Sequence, residues 1–127
     1  MKTVFLTAII LFTASAFAKD DHTDNFCSTT DSKVCAHIGH MTGMKTKGDS
    51  EFVVDIVVSE TVSDVKVDLW MPEHNHGTSP VTVNPYKKNK FKIKKAKFSM
   101  AGKWHTRIDF NVGKQNHKIE IPLTITE

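Results

Sequence analysis

The sequence SDVKVDLWM, residues 63–71, decides the fold class predicted for this chain. Every second residue is apolar, which is the period of a β-strand with one buried face and one solvent-exposed face. The residues predicted to face inward are Val65, Val67, Leu69 and Met71. The same period recurs over residues 104–112 and 117–126, and the chain after residue 18 shows no convincing helical period. The pattern therefore predicts an all-β protein.

Further strands are predicted on either side of this stretch. Residues 51–59 (EFVVDIVVS) are apolar in both parities, which is typical of a strand buried on both faces. Residues 34–38 predict a short first strand, 39–50 a loop, and 81–83 an edge strand stopped by Asn84-Pro85. Six or seven short strands separated by turn signals predict a small antiparallel, immunoglobulin-like β-sandwich.

The strand that follows the edge strand shows a shift in its alternation. Its apolar positions change parity after Ile93, so a β-bulge is predicted at Lys94-Lys95. Beyond the bulge, Met100 takes a position predicted to face inward. Residues 101–103 (AGK) predict a tight turn into the next strand.

The N-terminal residues predict an export signal. A basic start is followed by the apolar run 4–12 and by the small residues Ala16 and Ala18, which match the rule for signal-peptidase cleavage. We therefore expect a mature chain that begins at Lys19, lacks a membrane anchor after cleavage and is located in the periplasm or secreted. The expected organisation is a signal peptide at 1–18, a flexible polar lead-in at 19–33 and a β-sandwich domain at 34–127.

Charge is distributed unevenly along the chain. The formal net charge is +3, but residues 71–127 carry 11 basic and only four acidic residues. The densest basic run consists of Lys87, Lys88, Lys90, Lys92, Lys94, Lys95 and Lys97. Because apolar residues alternate with these lysines, the run is typical of the solvent face of a strand pair, and export argues against a nucleic-acid partner. An acidic partner or an anionic membrane surface is the alternative.

The two cysteines, Cys27 and Cys35, both fall in the expected mature chain. In an oxidising compartment a close, even pair most often forms a disulfide. The alternative is thiolate ligation of a metal together with His37 and His40. The disulfide is favoured, because no second cysteine pair completes a zinc-type site.

Residues 70–77 (WMPEHNHG) place a thioether, two imidazoles and a carboxylate where a strand ends. The proline and the glycine of this stretch predict that the backbone leaves the sheet and turns. In an extended segment His74 and His76 point the same way, and Met71 can add a soft sulfur, so the stretch predicts a metal site. A solvated hairpin loop that binds no metal is the alternative.

Met100 and Trp104 flank the turn at residues 101–103, which can meet the histidine loop at one end of a sandwich. A thioether together with imidazole suits Cu(I), whereas imidazoles alone suit Cu(II) or Zn(II). The alternative for both residues is packing in the core. A second cluster of soft side chains is interpreted as a loop with incidental histidines; it contains His37, His40, Met41 and Met44.

Three motifs together resemble the YtkA-like and FixH-like periplasmic domains. They are Trp70-Met71-Pro72 at the end of a strand, a histidine-rich loop that ends in His76-Gly77, and Met100-Ala101-Gly102-Lys103-Trp104 before a later strand. The resemblance covers residues 68–109. It implies an exported immunoglobulin-like sandwich whose relatives are linked to copper handling and to cytochrome oxidase assembly. FixH-type proteins are membrane-anchored, and the predicted cleavage departs from that pattern.

The resemblance also implies a set of functional residues. The candidate metal ligands are Met71, His74, His76 and Met100, with Trp104 bordering the site. One hypothesis is a non-enzymatic copper-binding chaperone or buffer, for Cu(I) or Cu(II), that serves an envelope copper protein or an oxidase assembly partner. The other is an interaction or accessory domain of the cell envelope in which the motifs only shape loops. No nucleophile-elbow motif or phosphate-binding glycine loop is present in the sequence.

Overall fold

The computed structural model describes residues 24–127, and within them the chain forms two β-sheets and no helix. Residues 1–23, which include the predicted signal peptide, lie outside the described residues. The strands are β1 (Phe26–Cys27), β2 (Cys35–Thr42), β3 (Ser50–Val57), β4 (Val62–Met71), β5 (His76–Gly77), β6 (Thr82–Lys87), β7 (Lys90–Ala96), β8 (Gly102–Val112) and β9 (Gln115–Ile125). Nowhere in residues 24–127 does a helix have the length and apolarity needed to cross a membrane.

The two sheets form the predicted antiparallel β-sandwich. One sheet has five strands in the order β1-β2-β3-β7-β6, and the other has four in the order β5-β4-β8-β9. Inward-facing residues of both sheets share one hydrophobic core, in which Trp104, Phe52, Phe98 and Phe110 are the largest fully buried side chains. The all-β prediction is confirmed, and the two-residue strands β1 and β5 add to seven longer ones.

The β-bulge predicted at Lys94-Lys95 is present, but the chain beyond it does not continue as a strand. Ser50 pairs with Ala96 and Phe52 with Ile93, so β7 has one extra residue there, and Lys95 has φ +59°. After Ala96 the chain crosses from the five-stranded sheet to the four-stranded sheet instead of making a tight turn. The prediction that Met100 faces inward is therefore wrong, because strand parity does not apply in a crossing segment, and Met100 is 39% exposed.

Two predicted strand boundaries are also wrong. Strand β6 does not stop at Pro85 but continues to Lys87. Because β6 is an edge strand, the proline nitrogen, which lacks a hydrogen, can face the side of the strand that has no neighbour to bond. Strand β2 runs on to Thr42 through the predicted loop, with a register shift after Gly39. Both differences arise because a neighbouring strand supplies the pairing, which local sequence does not reveal.

The N-terminal part of the described chain is tied to the sandwich. The predicted disulfide between Cys27 and Cys35 is present, with a sulfur–sulfur distance of 2.03 Å. Ser28 is buried, and its hydroxyl lies 2.9 Å from Nδ1 of His117, which is 1% exposed and also lies 3.1 Å from the Thr30 hydroxyl. Part of the lead-in expected at residues 19–33 therefore packs on β9, and His117, to which the sequence assigns no role, holds it there.

A candidate metal site at one end of the sandwich

The histidine loop is the turn of a hairpin between β4 and β5. Met71 pairs with His76 across the two strands, and the His74 amide donates to the Met71 carbonyl over 3.3 Å. Pro72 occupies the second position of this turn, where its restricted φ is favourable. Asn75 takes φ +52°, a left-handed conformation that asparagine tolerates better than most residues. The local sequence thus explains why the chain reverses at this point.

Two residues of the motifs lie beneath this hairpin and form part of the core. Met71 is 1% exposed, and Trp104 is fully buried with its ring 5.2 Å from that of Phe98. A Cβ added to Gly102 would lie 2.8 Å from the terminal methyl of Met71. Gly102 of the motif at residues 100–104 therefore leaves room for Met71 of the motif at residues 70–72, which places these two motifs in one packing unit.

Trp104 links the two chain-distant segments. Its Nε1 donates to the carbonyl of Met100 over 3.0 Å, which holds the crossing segment that carries Met100. The edge of its indole also meets the ring of His76, with 5.5 Å between ring centres. The segments around residues 71–77 and 100–104 therefore converge at one end of the sandwich.

Three of the predicted ligands remain accessible at this end. His74 is exposed, His76 is half-buried and Met100 is 39% exposed. The ring centres of His74 and His76 are 6.0 Å apart. Imidazole nitrogens bind metals at about 2.0–2.1 Å, which puts each ring centre about 3 Å from the ion, so two rings at about this spacing can flank one ion. Met71 differs from these residues, because its side chain is packed in the core.

All four methionines of residues 24–127 belong to this end of the molecule, which we call the methionine end; they are Met41, Met44, Met71 and Met100. Met41 lies at the end of β2 and Met71 at the end of β4. The Met44 carbonyl accepts from the Thr126 amide, directly after β9, whose last residue pairs with Gly102. Strand ends from both sheets thus bring four methionines from three separate segments to one side of the fold.

Met41 and Met44 were not predicted to belong to this site. The sequence places them in a glycine-containing loop, whereas both are partly buried against the hydrophobic core, and Met44 lies beside the end of β9. Met44 and Thr126 are about 80 positions apart in the chain. They come into contact where Lys45 pairs with Thr126. The apolar alternation of β2 does not indicate this, because extending Ala36 and Ile38 past Gly39 points to His40, and the register shift after Gly39 is what changes the parity.

No group of three or more His, Cys, Asp and Glu side chains is arranged to hold a metal ion in the part of the chain that the structure describes. The donors gathered at the methionine end are instead two imidazoles and thioethers. Soft sulfur with imidazole is the donor set that favours copper, and Cu(I) in particular. The chemistry of the residues present therefore fits copper better than a metal that requires carboxylates.

The outer face of the four-stranded sheet carries charged residues that are already paired. Arg107 donates two hydrogen bonds of 2.7 Å to Asp68, and its guanidinium lies 4.6 Å from the ring centre of Trp70. The hydrogen bonds that Arg107 donates to the Asp68 carboxylate raise the pKa of Arg107 above its ordinary value. His105 contacts Glu120 at 3.1 Å. These pairs link neighbouring strands. Because their polar groups are already paired, they do not form a ligand-binding site on this face.

Three features define the class of domain to which this chain belongs. It is an all-β sandwich, it has a histidine hairpin at one end, and beside that hairpin lies a crossing segment held by Trp104. The model of the YtkA-like family matches residues 44–109, which is just over half of the chain and includes both motifs. The chain belongs to the YtkA-like family. Searches of curated proteins and of solved structures found no match.

Proposed function

We propose that this protein is an accessory domain of the cell envelope that binds copper at the methionine end and acts as a chaperone or buffer. His74, His76 and Met100 are the ligands that the proposal assigns to the ion. Export by the N-terminal signal and an envelope copper protein or oxidase assembly partner are part of the same proposal. The protein acts as a carrier and not as an enzyme.

The observation that carries the proposal is the division of the motif residues into a buried set and an exposed set. Met71 and Trp104 are buried and build the end of the sandwich. His74, His76 and Met100 sit on that end with accessible side chains. Packing explains why the first set is apolar and large, but it does not explain an exposed and a half-buried imidazole at the same end of the sandwich as an exposed thioether. Ligand chemistry explains the second set.

Exchange of ligands is the mechanism that this arrangement supports. An ion held by a few exposed side chains has open positions at which a partner's thioether or imidazole can bind before the first ligands leave. Imidazoles serve both oxidation states of copper, whereas the Met100 thioether favours Cu(I). Met71 contributes from below by filling the space at Gly102, which shapes the surface that carries the ligands.

The competing function is a non-enzymatic interaction domain in which the motifs are purely structural. Its support is the contact of Met71 with Gly102 and the hydrogen bond from Trp104 to the Met100 carbonyl, both of which shape the end of the fold without any metal. This function makes no use of exposed imidazoles. Copper titration of variants that alter only the exposed residues separates the two.

The test is a titration of residues 19–127 with Cu(I) against a competing chelator, under anaerobic conditions. His74→Ala/His76→Ala should lower Cu(I) affinity by at least about tenfold, because it removes both imidazole donors. Met100→Leu should weaken Cu(I) binding but leave Cu(II) binding nearly unchanged, because only Cu(I) favours the thioether.

The matched control is His37→Ala/His105→Ala, which also removes two histidines but takes them from the outer faces of the two sheets. It should bind Cu(I) as the unaltered protein does. Equal, weak binding by the unaltered protein and by the His74/His76 variant would contradict the copper proposal and favour the purely structural role. All exchanged side chains are at least partly exposed, so the variants are expected to fold.

A further inference from the structure

The outer face of the five-stranded sheet carries lysines that form no ion pair with any acid of residues 24–127. Lys90 and Lys92 follow each other on the outward side of β7, and Lys92 lies between Val53 of β3 and Asn84 of β6 in the pairing register. Among the described residues, no carboxylate forms an ion pair with Lys87 or Lys92. On the other sheet Arg107, His105 and Lys118 are paired with acids, whereas Lys66 and Lys103 form no ion pair with a described acid.

Tyr86 is the centre of this charged region. Its side chain is 46% exposed, and the ammonium groups of Lys92 and Lys87 lie 4.5 and 5.2 Å from the centre of its ring. A cation over an aromatic face is attracted to the ring, so both ammonium groups are held close to Tyr86. We call the surface formed by Tyr86, Lys87, Lys90 and Lys92 the lysine face.

The lysine face has hollows and is not flat. A hollow of about 250 Å³ and another of about 210 Å³ are both lined by His40, Val53 and Tyr86. Val53 is only 7% exposed although it does not belong to the hydrophobic core between the sheets. Gly39, its partner on β2, has no side chain, which leaves a recess beside Val53. The lysine face therefore combines an apolar floor with a rim on which Lys87, Lys90 and Lys92 outnumber the acids Glu51 and Asp55.

Two acidic residues line these hollows: Asp55 is already engaged in ion pairs, whereas Glu51 lines the 250 Å³ hollow with Lys92 and forms no ion pair among the described residues. Asp55 contacts His37 at 3.3 Å and Lys90 at 3.6 Å, which leaves Lys87 and Lys92 to supply the unpaired positive charge. An anionic group that approaches Tyr86 would meet two ammonium groups without displacing an internal ion pair. This complementarity selects an anion-bearing partner.

We propose that the lysine face docks an acidic segment of a partner protein, with a carboxylate between Lys87 and Lys92 and a neighbouring apolar side chain in the recess beside Tyr86. The proposal goes beyond copper binding and does not depend on it. A protein segment is chosen over an anionic membrane because the apolar floor is recessed behind Tyr86. A peptide side chain can enter such a recess, whereas a headgroup layer can only cover its rim.

The test uses a fluorescent oligoglutamate peptide with a central phenylalanine, the same peptide without phenylalanine, and vesicles of phosphatidylcholine with phosphatidylglycerol. Lys87→Gln/Lys92→Gln should lower affinity for the phenylalanine peptide by about tenfold at low salt. The control Lys66→Gln/Lys118→Gln removes the same charge from the other sheet and should have little effect. Tyr86→Ala should weaken binding of the phenylalanine peptide more than binding of the plain peptide.

Equal losses in the two lysine variants would overturn the proposal, because they would show attraction to net charge alone. Tighter binding to the vesicles than to either peptide, unchanged in Tyr86→Ala, would also overturn it and identify a membrane surface as the partner. Loss of affinity confined to the Lys87/Lys92 and Tyr86 variants would support it. Thermal unfolding of each variant checks that these exposed substitutions leave the fold intact.

Discussion

At the scale of single residues, glycine decides how closely the two motifs approach each other. Gly102 has φ +134°, a conformation that residues with a Cβ rarely adopt, and its absent side chain leaves space for the Met71 methyl. Gly77 lies close to backbone and not to a side chain, because a Cβ there would lie 3.0 Å from the carbonyl oxygen of Leu69. Both glycines thus allow the chain to approach β4 closely beneath the histidine loop. Their role is structural and separate from any copper binding by the loop.

Gly102→Ala is expected to lower the free energy of unfolding by about 1–3 kcal/mol, chiefly because alanine is strained at this φ. The clash with Met71 adds less, since the end of a methionine side chain can move. Chemical denaturation measures the change. The control is Gly113→Ala, at φ +59° with open space around it, which should cost only about 1 kcal/mol. Equal costs at the two positions would contradict this account.

At the scale of structural elements, the two ends of the sandwich carry different features: the disulfide lies at one end and the candidate metal site at the other. The disulfide joins β1 to the first residue of β2, whereas Met41 lies near the last residue of the same eight-residue strand. A strand of this length spans about 25 Å. The covalent link and the candidate metal site therefore lie at opposite ends, and the strands between them transmit little beyond overall stability.

Cys27→Ser/Cys35→Ser is expected to reduce the free energy of unfolding by roughly 2–3 kcal/mol, because it removes a constraint on the unfolded chain. Cu(I) affinity at the methionine end should stay the same while the variant is folded. Denaturation curves and the chelator titration on the same sample measure both quantities. A fall in copper affinity without a change in stability would show that the cysteines contribute to the metal site.

At the scale of the whole molecule, the two proposed surfaces involve different residues. The hairpin that carries His74 and His76 belongs to the four-stranded sheet, and the lysine face belongs to the five-stranded sheet. One domain could then hold an ion at its end while a partner binds its side. Because the sheets share a rigid core, neither event needs a change of fold.

Independence of the two surfaces is therefore expected. His74→Ala/His76→Ala should bind the acidic peptide as the unaltered protein does, and Lys87→Gln/Lys92→Gln should keep its Cu(I) affinity. Increased salt should weaken peptide binding much more than copper binding, because exposed charges are screened and metal–ligand bonds are not. Coupled losses in either double variant would show that the two surfaces act as one site.

The amino-acid sequence determined the sandwich, the disulfide and the histidine turn, because alternation, cysteine proximity and the Pro72 turn are local signals that act within a few residues. The tertiary structure decided the rest. It exposed Met100 and brought Met41 and Met44 to the same end as Met71, whose burial the alternation predicts, since those outcomes depend on which strands become neighbours. It also left Lys87 and Lys92 unpaired beside Tyr86, because the positions of acids on adjacent strands follow from register and not from composition.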